Sequence, residues 1–204
     1  FQRFTLQVRE LCHKLKKDVQ LSFKGTETRI DKGVSEILIT ALTHLISNAI
    51  AHGIEKPMDR ELAGNPRIGA LLLSASCRGN HVVLEASDDG KGMNLEKIRE
   101  RAKEIDIPSE NLSPDEELLA YLTHPGFSTE KKLSHTMGRG LGLAMVREQI
   151  ENLGGRLEIE NADLRGTTFR MIIPLTFYTC ESLVLQSGNH RFTVLMDQVH
   201  TILE

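Results

Sequence analysis

Apolar residues at Phe1, Phe4, Val8, Leu11 and Leu15 recur at steps of three and four, which predicts an amphipathic opening helix. Val19, Leu21 and Phe23 then alternate with polar residues before Gly25, the period of a half-buried strand. A helical pattern returns over 35–52, where Ile37, Ala41 and Leu45 with Leu38, Leu42, Ile46 and Ala49 form a broad apolar face. On its flank Thr40, His44, Asn48 and His52 fall four apart. Residues 71–76 and 81–87 read as two strands across a Gly79-Asn80 turn. Asn94 is suited to cap a helix reaching Ile105, and Ser113-Pro114-Asp115-Glu116 joins a capping box to a proline at the first helical position. Leu143, Val146, Ile150 and Leu153 predict a helix over 141–153, closed by Gly154-Gly155. Residues 156–160 and 168–174 supply two more strands. This order predicts an α+β fold, a two-layer sandwich with an antiparallel sheet and helices on one face.

After Pro174 the character changes. Residues 182–186 and 191–196, joined by Ser187-Gly188-Asn189, predict a separate hairpin. A boundary near Leu175 leaves about 29 residues, too few to bury a core, so this piece is expected to begin a second, truncated domain.

Composition narrows the class. With 40% hydrophobic and 26% charged residues and a net charge of −3, the 204-residue chain has the make-up of a globular protein. No basic run interleaves with aromatics, so no nucleic-acid partner is expected. Cys12, Cys77 and Cys180 are odd in number and too widely spaced for a zinc site or a disulfide framework, which suits a reducing cytoplasm. No apolar run of about 18 residues and no signal-peptide layout are read, so direct membrane insertion is not expected.

Four short segments carry candidate chemistry: Asn48-Ala49-Ile50-Ala51-His52-Gly53, Asp88-Asp89-Gly90-Lys91-Gly92, Gly126-Phe127-Ser128-Thr129 and Gly138-Arg139-Gly140-Leu141-Gly142. His44, Asn48 and His52 would span about 12 Å of a helix, roughly the reach of a triphosphate with its metal. Asn48 offers a neutral amide oxygen to Mg²⁺, His44 a proton acceptor and His52 a hydrogen bond to phosphate. Three polar residues on a solvated helix edge would show the same spacing. Asp88 ends an apolar strand and precedes Gly90 and Gly92, so a carboxylate stands beside backbone that can approach a ligand closely. Such a carboxylate, accepting from an exocyclic amine, would select adenine over guanine; an acidic β-turn is the plain alternative. Gly138, Gly140 and Gly142 precede a helix whose N-terminal N–H groups would face phosphate oxygens, with Arg139 adding charge. Lys131, Lys132 and Arg139 suit a mobile positive lid, or a solvated loop.

Asn48, Asp88 with Gly90 and Gly92, the Gly126 and Gly138 segments and Gly166-Thr167-Thr168-Phe169 resemble the N, G1, F, G2 and GT boxes of the histidine-kinase ATPase fold, the Bergerat ATP-binding fold shared with gyrase, MutL and a class of heat-shock chaperones. The stretch from His44 to Glu55, read with Gly126-Phe127-Ser128-Thr129 and Gly138-Arg139-Gly140, is similar to the catalytic domain of chemotaxis-type (CheA-like) kinases. The resemblance implies ATP and Mg²⁺ as cofactors, with Asn48 on the metal, His44 and His52 serving the γ-phosphate and Asp88 reading adenine. It places Gly90, Gly92, Ser128, Thr129, Gly138, Arg139, Gly140, Leu141, Gly142 and Thr167 around the nucleotide. It implies residues 1–17 as the end of a dimerisation region, 18–175 as the catalytic domain and 176–204 as the start of an SH3-like, CheW-like regulatory domain. Four residues depart from the family: Ser47 stands where Arg is usual, Ala51 for Asp, Asn65 for Lys and Leu195 for Pro.

The implied partners are a histidine phosphotransfer domain, a CheW-like coupling protein, chemoreceptors and a downstream response regulator, with a homodimer in the full-length protein. None of the eight histidines is followed by the Ser, Asp or Glu usual beside an acceptor. The expected activity is transfer of the ATP γ-phosphate to a histidine on a separate domain. Competing readings are a nucleotide-sensing scaffold and an ATP hydrolase.

Overall fold

The computed structural model describes residues 3–105, 107, 112–124, 127, 142–162, 166–175, 182–188 and 190–195. Its first helix, α1 (Phe4–Leu15), turns Phe4 and Val8 into the core and ends at Lys16, in the left-handed conformation with φ 54°. Strand β1 (Val19–Lys24) follows with strict alternation of half-buried and exposed positions. Helix α2 (Lys32–Asn48) begins three residues earlier than its apolar pattern suggested. Asp31 caps it by accepting hydrogen bonds from the N–H groups of Gly33 and Val34.

Past Asn48 the helix widens into a π-helical turn, Ala49–Gly53, closed by the Ile54 N–H donating to the Ala49 carbonyl. Thr40, His44 and Asn48 therefore keep their four-residue spacing on α-helix, whereas His52 falls within the π turn, whose i→i+5 bond takes more residues into each turn. By length and composition this continuous stretch, Lys32–Gly53, passes as a membrane-crossing helix with a hydropathy of 1.4. In the fold it is the core helix instead: Leu38, Ala41, Leu42, Leu45, Ile46 and Ile50 are each no more than 4% exposed.

A short helix, α3 (Pro57–Leu62), leads to the hairpin of β2 (Gly69–Arg78) and β3 (His81–Asp88). Helices α4 (Leu95–Glu104) and α5 (Pro114–Leu122) start at the caps read from sequence. Asn94 accepts from Lys97 N–H, and Ser113 and Glu116 form a reciprocal capping box. Helix α6 (Gly142–Asn152) precedes β4 (Arg156–Ala162) and β5 (Gly166–Pro174).

The main sheet has the order β1-β2-β3-β5-β4. Three of its pairings are antiparallel, as expected, but β1 pairs β2 in parallel. This corrects the expectation of a wholly antiparallel sheet: α2 and α3 lie between the two strands in sequence, and a long helical crossover returns the chain in the same direction. Leu71, Leu73, Leu84, Ala86, Phe169, Met171 and Ile173 cover the helix-facing side. On the other face Ser74, Glu85, Arg170 and Glu158 stand in register and bond across four strands. A second sheet, β6 (Ser182–Ser187) and β7 (His190–Leu195), is the hairpin expected after Pro174 and, among the described residues, pairs only with itself.

Candidate functional site

The candidate residues converge where α2 and its π turn meet the end of β3. Leu84, Ala86 and Asp88 are successive inward positions, so the strand's period of two places a carboxylate on the helix-covered face at 8% exposure. Its Oδ1 accepts the Gly90 N–H at 3.0 Å, and the Thr167 N–H, opposite Asp88 in register on β5, also donates to it. Burial outweighs these bonds, and Asp89 and Glu55 add their negative charge, so the carboxyl is pushed up from its ordinary 3.8 to about 6.

Close packing joins this carboxylate to the π turn. A Cβ on Gly53 would lie 2.9 Å from Asp88 Oδ1, and one on Gly90 would overlap the Gly53 carbonyl oxygen. The Lys91 N–H donates to that same carbonyl at 3.1 Å. Only glycine leaves the two backbones this near each other. Gly92 adopts a left-handed φ of 67°. Thr167 is 4% exposed and borders Asp88 directly.

His44 lies on α2, half-buried, one helical turn before Asn48. Desolvation lowers its pKa, and nearby His52 lowers it further, so the imidazole is neutral at physiological pH and able to accept a proton. A Cβ on Gly142, the first residue of α6, would overlap the imidazole atoms Cε1 and Nε2. The helix start and the histidine thus occupy one place. Asn48 is half-buried and His52 exposed.

Phe127 is 6% exposed and belongs to the core, with its N–H donating to the His124 carbonyl at 3.0 Å. Gly126, Ser128, Thr129, Lys131, Lys132, Gly138, Arg139, Gly140 and Leu141 lie outside the described residues.

The donor set is consistent with Mg²⁺ bound through a nucleotide. Among the described residues no group of three or more His, Cys, Asp or Glu would hold an ion by itself. A lone amide such as Asn48 suits a metal that keeps waters and phosphate oxygens in its shell.

Sequence reading missed the groups that support this site. Lys17, just past α1, donates to the Ile50 carbonyl at 2.6 Å and the Ala51 carbonyl at 2.8 Å, holding the π turn. Gln7 reaches the Thr43 carbonyl and Ser47 Oγ, so Ser47, 7% exposed, meets α1. Arg60, on α3, is buried against Glu55 and Asp89. The spacing from Glu55 to Arg60 was the available signal, but it reads as an ordinary surface pair.

A family model described as histidine kinase-, DNA gyrase B- and HSP90-like ATPase matches residues 33–177, and the chain belongs to that family. It is an ATP-binding domain. More particularly, it is 35% identical over 204 residues to the chemotaxis protein CheA of Klebsiella aerogenes, covering 100% of this chain and 31% of that protein. It is 37% identical over 196 residues to the chemotaxis protein CheA of Treponema pallidum, covering 95% of this chain and 24% of the relative. With the sensor histidine kinase CheAY of Helicobacter pylori it shares 36% over 202 residues, covering 98% and 25%. The chain thus spans about a third or less of the curated relatives it matches. A histidine kinase domain from the blue-light activated kinase of Erythrobacter litoralis aligns at TM-score 0.48 and 15% identity, over 82% of this chain and 57% of that one.

Proposed function

We propose that this chain is the ATP-binding catalytic domain of a chemotaxis-type protein-histidine kinase, transferring the γ-phosphoryl group of ATP to a histidine on a separate phosphotransfer domain. The observation that carries this is the meeting of a buried acidic side chain, Asp88, with the end of the Asn48 helix, while neutral His44 lies against the start of α6. Similarity to chemotaxis proteins over 95–100% of this chain supports the same reading.

In this reading Asp88 accepts the exocyclic amine of adenine through its carboxylate. Gly53, Gly90 and Gly92 let backbone approach the base, and Thr167 closes the other side. His44 and His52 serve the γ-phosphate, with His44 neutral and able to take or orient a proton. Mg²⁺, held by Asn48 and the phosphates, would neutralise charge on the transferring group. Ser128, Thr129, Gly138, Arg139, Gly140, Leu141 and Gly142 form the lid and phosphate cradle. Positioning and electrostatics, rather than a covalent enzyme intermediate, lower the barrier.

The partners in this reading are a phosphotransfer domain of the same or a partner subunit, a CheW-like coupling protein, chemoreceptors and a response regulator, within a homodimer. Residues 1–17 close a dimerisation region, 18–175 form the catalytic domain, and the β6–β7 hairpin opens an SH3-like regulatory domain. Free thiols at Cys12 and Cys77 support a cytoplasmic setting.

The test supplies the chain with a phosphotransfer domain from a chemotaxis kinase and follows labelled γ-phosphate to the acceptor histidine. Wild type transfers label, whereas Asn48→Asp and Asp88→Ala do not. Transfer by either variant at the wild-type rate refutes the site, and nucleotide binding without transfer by wild type favours the scaffold reading.

A further inference from the structure

Arg60 is 1% exposed, the one Lys or Arg buried to this degree among the described residues. A guanidinium this deep persists only where its donors are met. Its Nε donates to the Pro66 carbonyl at 2.7 Å, Nη1 to Glu55 Oε2 and the Asp89 carbonyl at 3.1 Å each, and Nη2 to Asp89 Oδ2 at 2.8 Å. Asp89 is held in turn by β2: its Oδ1 accepts the Ala70 N–H at 2.7 Å, and its own N–H donates to the Ala70 carbonyl at 3.1 Å.

One planar group therefore joins three segments. Glu55 follows the π turn that carries His52 and Gly53, Pro66 belongs to the loop entering β2, and Asp89 adjoins Asp88. We propose that Arg60 is a positioning residue of the nucleotide site, fixing the direction in which Asp88 meets adenine by clamping Asp89 to Glu55 and Pro66. This rests on the reading of Asp88 as the adenine contact. Lysine could not substitute, since a single ammonium lacks the rigid fork that reaches all three partners.

The clamp has an electrostatic consequence that a purely structural role lacks. Asp89 and Glu55 are the charged groups that face Asp88, and each raises its pKa. Arg60 lies on both, so removing it leaves two uncompensated carboxylates beside a third.

The test measures ADP affinity by calorimetry across pH in wild type, Arg60→Gln, Arg60→Lys, Glu55→Gln and Asp88→Ala, with folding checked by circular dichroism. Arg60→Gln should weaken ADP binding about tenfold at alkaline pH and move the acid midpoint of affinity upward by about half a unit. Arg60→Lys should also weaken binding yet keep the midpoint near that of wild type, while Glu55→Gln moves it downward. Folded Arg60→Gln and Arg60→Lys with wild-type affinity and midpoint overturn the proposal, even if they melt earlier. If Arg60→Gln does not fold, the Arg60→Lys affinity and the Glu55→Gln midpoint decide, and wild-type values in both overturn it. The adenine reading has its own arm: ADP binding by Asp88→Ala at wild-type strength refutes that reading, whereas loss there with unchanged Arg60 variants refutes the clamp alone.

Discussion

Burial of Asp88 works against its own charge. With a pKa raised to about 6 from an ordinary 3.8, the folded chain holds a proton there more tightly than the unfolded chain does. Its contribution to stability therefore falls as pH rises from about 4 through 6, where the folded state would otherwise keep the proton. Adenine binding through Asp88, as proposed, has the opposite sign, because an ionised carboxylate accepts from the amine and a protonated one competes as a donor. ADP affinity is expected to drop as pH falls below about 6, by up to tenfold per unit, and this acid limb should vanish in Asp88→Asn. Calorimetric titration over that range checks it, and an acid limb retained by Asp88→Asn would assign the effect to another group. The sequence exposed this residue because an aspartate ends an apolar strand just before Gly90 and Gly92. It could not reveal Arg60, since one arginine on a short helix looks like surface charge until the fold brings Asp89 beneath it.

At the level of elements, caps and periodicity were legible because they are local. Asn94, the Ser113–Glu116 box and the apolar face of α2 each act within a turn or two of their own chain. The parallel β1–β2 pairing and the π turn were not legible. The first depends on where α2 and α3 return the chain, and the second leaves no composition signature. Lys17 meets that turn, with its ammonium on the Ile50 and Ala51 carbonyls. Lys17→Met retains an apolar stem but removes the charged donor, and is expected to cost about 1–3 kcal/mol in urea unfolding. Because His52 and Gly53 lie on the same turn, ADP affinity should fall with it. Full stability and full affinity in Lys17→Met would show that the turn holds its shape unaided.

For the whole molecule, the opening helix and the nucleotide-binding layer share one hydrophobic core. Phe4 at 2% and Val8 at 4% exposure sit among the residues that pack between α2 and the sheet. Gln7 adds bonds to the Thr43 carbonyl and Ser47 Oγ, and Lys17 holds the π turn, so α1 and its exit contact the Asn48 helix along much of its second half. A shift of α1 cannot leave that helix untouched, since packed interiors transmit displacement. The energetic scale follows from burial: two large apolar side chains contribute roughly 3–6 kcal/mol, a sizeable part of the 5–15 kcal/mol typical of a domain's stability. Removing residues 1–17 is therefore expected to lower the melting temperature by roughly 10–20 °C and to weaken ADP binding. Phe4→Ala, which leaves the chain length and Lys17 in place, should produce a destabilisation of about 3–5 kcal/mol by itself. Calorimetry of both proteins with and without ADP separates the two contributions. If α1 only adds core, ADP should bind Phe4→Ala normally below its melting point; if it also sets the Asn48 helix, affinity should fall in the shortened chain even where that chain is fully folded.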